Sequence, residues 1–398
     1  MSLLDHAIIW HVYPLGATGA PFRDFDPDET NHRLPRLITW LDYVVELGCD
    51  TLLLAPIFTS VSHGYDTLDH FQIDPRLGDE ADFDRLITAC QERGISVLLD
   101  GVFNHVSASH PLVGSGGPVK RDASGEPVGW EGHSDLVELD HADPRAEDLV
   151  VDIMEYWLAK GIAGWRLDVA YAVPTPFWAA VTDRVRRTYP DAVFLGEIIH
   201  GDYLDLIHNG HLDTVTQYEL WKATWSSIKE VNFWELDHAL GRHAEFVRGG
   251  FMQTFVGNHD VDRIASVVGD AGAAVAATLL FTLPGVPSVY YGDEQAFRGE
   301  KGTGFSTDDA LRPPLPASPD QLAPQGRWMF DLYRQLIGMR RRHPWLTTAT
   351  VEVLDKSNEA LSYRVTKDDH SCEVSLTLNP TATARVRFDD GESADLAW

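Results

Sequence analysis

The feature that most constrains this chain is an alternation of short apolar runs with longer amphipathic stretches, met eight times. The runs are Ile8–Leu15, Asp50–Ala55, Ser96–Val102, Gly164–Val169, Val193–Ile198, Thr214–Tyr218, Gln253–Gly257 and Ser288–Tyr291. Each has the length of a strand. Between most of them apolar residues recur at helical spacing, over Leu34–Leu47, Glu80–Arg93, Pro144–Lys160, Pro176–Thr188, Trp234–Phe246, Ala273–Leu283 and Gly326–Arg342. In Pro144–Lys160, Leu149, Ile153, Tyr156 and Trp157 share one face, and Glu80–Arg93 stops at Gly94, a residue suited to ending a helix. Strands that each lead into a helix or a long loop predict an α/β fold, with a parallel sheet closed into a (β/α)8 TIM barrel. A doubly wound open sheet is the alternative, but no Gly-rich nucleotide turn follows an early strand.

Two regions interrupt the alternation. His105–Ser134, rich in Gly, Pro, Ser and His, reads as a short insertion after the third strand, and Lys301–Pro324 as a loop after the eighth. Beyond Pro344 the period changes. Thr350–Leu354, Leu361–Val365, Glu373–Leu378 and Ala384–Phe388 read as short strands joined by polar turns. The expected domains are therefore a barrel from residues 1–104 and 135–345, an insertion at 105–134, and a small C-terminal antiparallel β-domain at 346–398.

Sixty acidic residues face 32 basic ones, a formal charge of -28. Such a surface repels nucleic acid and anionic membranes, so neither is an expected partner, and a neutral substrate suits it better than a phosphorylated one. The same acidity also serves solubility. Cys49, Cys90 and Cys372 are odd in number and lack CxxC spacing, and Cys49 and Cys90 read as buried free thiols. The opening MSLLDHAIIWHVYPLG has no basic region followed by a continuous apolar run. With no apolar stretch read as approaching a membrane span, the expected location is the cytoplasm.

In a barrel of this kind the active site forms at the carboxyl ends of the strands. The third strand ends with Asp100, Asn104 and His105. The fourth ends with Arg166 and Asp168, which are two apart and so face the same side. Glu197 and His200 end the fifth, Asn258, His259 and Asp260 the seventh, and Asp293 and Glu294 the eighth. Any one of these acids has a structural explanation as a cap or an ion-pair partner. Carboxylates converging from three strands on one mouth are harder to explain so, since repulsion and desolvation would be costly without purpose. Glycoside cleavage needs this arrangement: one carboxylate attacks the anomeric carbon, a second protonates the leaving oxygen, and further negative charge stabilises the oxocarbenium-like transition state.

At these residues the chain resembles the α-amylase family, glycoside hydrolase family 13. DGVFNH at 100–105, GWRLDVA at 164–170, GEI at 196–198 and FVGNHD at 255–260 resemble its four conserved regions, in order. HGYDTLDHFQIDPRLGD at 63–79 and GVPSVYYGDE at 285–294 resemble two flanking signatures. The resemblance implies Asp168 as nucleophile with Arg166 as its partner, Glu197 as acid/base, and Asp260 as transition-state stabiliser. It also implies His105, His259, Tyr65 and Asp66 as substrate-binding residues, whereas Asp74 and Asp293 read as structural loop residues. GWRLDVA followed by GEI and a His resembles in part the neopullulanase and cyclomaltodextrinase branch. Tyr171 and Ala172 stand where that branch usually has Asn and Glu, and Ile199 where it commonly has Trp. Asn104 matches a position that often ligates calcium, but partner ligands are not recognisable, so Ca2+ stays open and no cofactor is required.

The implied activity is a retaining α-glycosidase hydrolysing α-glucosidic bonds in short α-glucans (maltooligosaccharides) by double displacement. The alternatives are a transglycosylase or isomerase on maltose, sucrose or trehalose, and a non-catalytic carbohydrate-binding protein on the same barrel.

Overall fold

All eight expected strands form one closed parallel barrel in the computed structural model, which describes residues 2–304 and 307–398. They are β1 (Ile9–Val12), β2 (Thr51–Leu54), β3 (Ser96–Gly101), β4 (Gly164–Leu167), β5 (Val193–Gly196), β6 (Thr214–Thr216), β7 (Phe251–Phe255) and β8 (Val286–Tyr290). Closure comes from β1 pairing with β2 on one side and with β8 on the other, Ile9 facing both Thr51 and Ser288. Inside, Ile9, Leu53, Leu98, Val193, Leu195 and Val286 pack with Leu4 and Ala7 of the N-terminal segment, filling the amino end of the barrel with apolar side chains. The polar residues are left to the other end.

The outer helices are α1 (Leu41–Leu47), α2 (Glu80–Gln91), α3 (Pro144–Ala159), α4 (Thr175–Thr188), α5 (Tyr203–His208), α6 (Tyr218–Lys229), α7 (Trp234–Gly249), α8 (Ile264–Thr282) and α9 (Arg327–Arg342). Their entry points follow the local chemistry. Asp79 caps α2 in a capping box with Asp82, Asp143 caps α3 ahead of Pro144, and Gly48 ends α1 in a left-handed conformation at φ 100° that suits glycine. The stretch read as one helix over Leu34–Leu47 is instead a 3-10 turn, Leu34–Trp40, running into α1.

One expectation is corrected by α8. Over 19 residues it is long and apolar enough by composition to cross a membrane, with a mean hydropathy of 1.8, although no such stretch was expected. Gly269, at φ 71°, breaks its helical path. Two thirds of its most apolar window is buried, with Ala273–Thr282 wholly inside and the helix packed against α6 and α9.

Residues 105–138 carry a three-stranded sheet, His105–Ser107, Gly129–Trp130 and His133–Glu138, over a small core of Val106, Val119, Val137 and Leu139. The C-terminal sheet has five antiparallel strands, β9 (Thr350–Lys356), β10 (Ala360–Lys367), β11 (His370–Thr377), β12 (Thr383–Phe388) and β13 (Ser393–Ala397), paired in sequence order. It is tied to the barrel by the buried Tyr363 hydroxyl, 2.6 Å from Thr282 Oγ1. Cys49, Cys90 and Cys372 are free and buried. Asp74 and Asp293 lie in buried ion pairs with Arg76 and Arg263. Of the loop at 301–324, residues 305 and 306 lie outside the described residues.

Candidate active site

The carboxyl ends of β3, β4 and β5 bring three carboxylates to one guanidinium. Arg166 Nη1 lies 2.8 Å from both oxygens of Asp100 and 2.8 Å from Asp168 Oδ1, while Nη2 lies 2.7 Å from Glu197 Oε1. The registers that achieve this are direct: Asp100 pairs with Arg166 across β3 and β4, and Leu195 with Arg166 across β4 and β5. Asp168 stands one residue past the end of β4. The chain then turns through Val169 at φ 40°, a left-handed conformation costly for a β-branched residue. The turn aims the Val169 N–H at Glu197 Oε2, which accepts it at 3.0 Å. Glu197 Oε1 also accepts from the Tyr218 hydroxyl at 3.2 Å, and Tyr218 in turn accepts from Asn258 Nδ2 at 2.7 Å.

Asp260 enters from the segment after β7. Its carboxylate meets His259 Nε2 at 3.0 Å and Arg312 Nη2 at 3.1 Å, and a third of its side chain is open. Arg312 is buried, lies over the Tyr13 ring at 4.4 Å, and donates to the His259 carbonyl at 3.1 Å. His259 stacks on Tyr65, centroids 5.2 Å apart and 5° from parallel, and the Tyr65 hydroxyl donates to Asp100 Oδ2 at 2.9 Å. His105 meets the Tyr65 carbonyl through Nε2 at 3.1 Å, and its ring stacks on Trp130 from the insertion. Asp66 lies beside Tyr65, but its oxygens accept from Ser62 N at 3.1 Å and Ser62 Oγ at 2.6 Å, so it stabilises the turn at 62–66.

Tyr65, Arg166, Asp168, Glu197, His259 and Asp260 are thus brought together directly, and His105 is joined to them through Tyr65. Sequence reasoning missed Arg312 and Tyr218. Tyr218 had been placed at a strand end with no role; Arg312 sits among prolines in a loop, with no periodicity to mark it.

Four carboxylates in this cluster face two guanidinium groups. Burial pushes the carboxyls of Asp100 and Asp168 up, to well above the usual range at Asp168; Arg166 opposes both shifts without cancelling them. At Asp168 the charges of Glu197 and Asp100 add to burial. Arg166 is thus shared among three acids, Asp100, Asp168 and Glu197. At Asp260 burial acts in the same direction, but His259 and Arg312 outweigh it and hold the carboxyl well below the usual range. Asp260 is therefore held in its ionised form, whereas burial works against the ionised forms of Asp100 and Asp168.

Asn104 Nδ2 lies 3.1 Å from His105 Nδ1. Among the described residues, the His/Cys/Asp/Glu groups close enough to share an ion are His32–Asp79–Asp82 and His343–Asp390–Glu392.

Fold and site together define a (β/α)8-barrel protein with an acidic, arginine-braced cluster at its carboxyl end. Residues 20–115 and 130–322 match the family model described as alpha amylase, catalytic domain, and the chain belongs to that family. It is 29% identical over 404 residues to a cyclomaltodextrinase of Geobacillus thermopakistaniensis, covering 92% of this chain and 66% of that protein. It is 30% identical over 396 residues to neopullulanase 2 of Thermoactinomyces vulgaris, covering 92% of this chain and 65% of that one. The chain thus spans just under two thirds of the length of these curated relatives. Its fold superposes on a cyclic α-maltosyl-(1→6)-maltose hydrolase of Arthrobacter globiformis with a TM-score of 0.81 and 24% identity, covering 100% of this chain and 99% of that one.

Proposed function

We propose that this chain is a retaining glycoside hydrolase that cleaves α-glucosidic bonds in short α-glucans. The observation that carries the reading is the convergence of Asp168 and Glu197 on Arg166, with Asp260 held ionised across the mouth. In this reading Asp168 attacks the anomeric carbon as the glycosidic C–O bond breaks, and the proton on Glu197 passes to the departing oxygen. Positive charge growing on the sugar favours the ionised form of Asp168. A water then gives its proton to Glu197 and attacks the anomeric carbon, releasing Asp168. Asp260 stabilises the oxocarbenium-like transition states of both steps. Tyr65, His105 and His259 face the sugar hydroxyls. Names of relatives such as cyclomaltodextrinase support an α-glucan substrate.

The test is product analysis with maltose, maltotriose, longer maltooligosaccharides, cyclodextrin, sucrose and trehalose, beside an Asp168→Asn control. The expected result is smaller sugars from at least one substrate, with the α-anomer formed first. The control falls by roughly 10³-fold or more, because the covalent step is lost. Products longer than the substrate would move the reading to a transglycosylase. No turnover by the folded protein would move it to a binding protein. The chemistry uses no cofactor, so chelator leaves activity intact; a loss reversed by Ca2+ would overturn that point and direct attention to Asn104.

A further inference from the structure

Beside Asp260 the mouth opens sideways into a cavity of about 330 Å³, a volume suited to a small ligand. Trp221 and Trp225 of α6 line it with Val256, Ile264 and Val267, and Asp260, Asp262, Lys229 and Lys301 supply its polar groups. The two indoles are neighbours, 5.9 Å apart at 56°, and both are only part-buried. The Trp225 indole N–H is buried and, among the described residues, meets no acceptor. Its polar side is joined to the carboxylate cluster: Asp262 accepts from the Lys301 backbone N–H at 2.6 Å, Lys301 Nζ lies 3.3 Å from Asp308, and Asp308 and Asp260 share Arg312 Nη2. Trp221 also lines a second cavity, about 490 Å³, with Ile199, His200 and Tyr218, and so stands as a partition between two spaces opening near the carboxylates.

Apolar aromatic faces with charged groups at the margin match the chemistry of a pyranose ring, which is C–H on its faces and hydroxyl at its edge. We infer that the Trp221–Trp225 cavity is a binding site for a further glucosyl unit of the substrate, linked to the sugar that lies at Asp260. This rests on the α-glucan reading above. The Trp225 N–H donates to a hydroxyl of that unit, and Asp262 and Lys301 take others. The site makes the protein a reader of chain length, since only a saccharide reaching past Asp260 gains these contacts.

The test measures kcat/KM across maltose to maltoheptaose for wild type, Trp225→Ala, which removes a wall, and Val267→Trp, which fills the space from the opposite side. Trp328→Ala, at an exposed tryptophan on α9, is the control. Wild type is expected to gain with length. Each cavity variant loses at least tenfold more on the longest substrate than on the shortest, chiefly through KM, while the control follows wild type. A variant that folds and loses the same factor at every length, or nothing, overturns the inference while leaving the glycosidase reading intact. Wild type inactive on every length instead overturns the reading, and the inference with it.

Discussion

Replacing Arg166 by Met keeps an unbranched stem and removes the one positive charge shared by Asp100, Asp168 and Glu197, whose side chains are 0%, 9% and 4% exposed. At roughly 4 Å and an effective dielectric of about 20, each attraction amounts to about 4 kcal/mol, or about 12 for three. Most of that offsets the cost of burying the guanidinium, and breaking a buried pair typically shows a net loss of about 3–5 kcal/mol. We expect a loss of that size at pH 8. The loss is smaller at pH 5. Burial already raises the carboxyls of Asp100 and Asp168, and without Arg166 they rise further. A carboxyl whose pKa is higher folded than unfolded stabilises below the unfolded value and loses that contribution as pH rises through the folded value. The variant's deficit therefore grows with pH. Urea unfolding followed by tryptophan fluorescence at both pH values measures it. A deficit under about 1 kcal/mol at pH 8, or one equal at the two pH values, would refute the account of the cluster.

Three further outcomes are expected. Burial raises the Glu294 carboxyl from 4.5 to about 7, so its contribution of about 3 kcal/mol is present below pH 4.5 and lost as pH rises through 7; Glu294→Gln should flatten stability over that window, and an unchanged slope counts against it. Burial holds His70, His105 and His243 down to about 4. Each costs up to about 3 kcal/mol as the pH falls from 6.5 to 4 and the unfolded chain takes up protons the folded one refuses; His243→Gln should make the acid limb of the urea midpoint visibly shallower. Finally, a Cβ on Gly164 would lie 2.0 Å from the Val193 carbonyl oxygen across the β4–β5 pairing. Gly164→Ala should cost about 3 kcal/mol and, by displacing Arg166, lower turnover more than substrate affinity; a wild-type melting temperature would exclude this.

Much of this was readable in the chain. The eight strands announced themselves because each is apolar over several residues. Their carboxyl ends were read too long, since Asp168, Val169 and Glu197 leave the ladder to serve the site. Helix α6 escaped notice because its buried face includes Ala223, Thr224, Ser226 and Ser227, small or polar groups that blur an apolar period. The strands of the insertion, two to six residues long, and the short β13, with Asp395 in its middle, gave equally little signal. Motif residues at strand ends could be placed at the mouth. What spacing could not convey was sharing: that one guanidinium serves three acids, and that Arg312, 52 residues beyond Asp260, comes back to hold it.

The pairing of Ile9 with Ser288 has a consequence for synthesis. The first strand leaves the ribosome roughly 280 residues before its second neighbour, which at about 5–20 residues per second is an interval of some 15–60 s. Throughout that time one edge of β1 presents unpaired amide and carbonyl groups beside Trp10, the kind of edge that recruits other chains. Circular permutants that begin just before β8 would cut the gap between the two strands from roughly 280 residues to about 120, shortening the exposed interval by more than half, and a nascent chain stalled before residue 286 should be the species that chaperones hold longest.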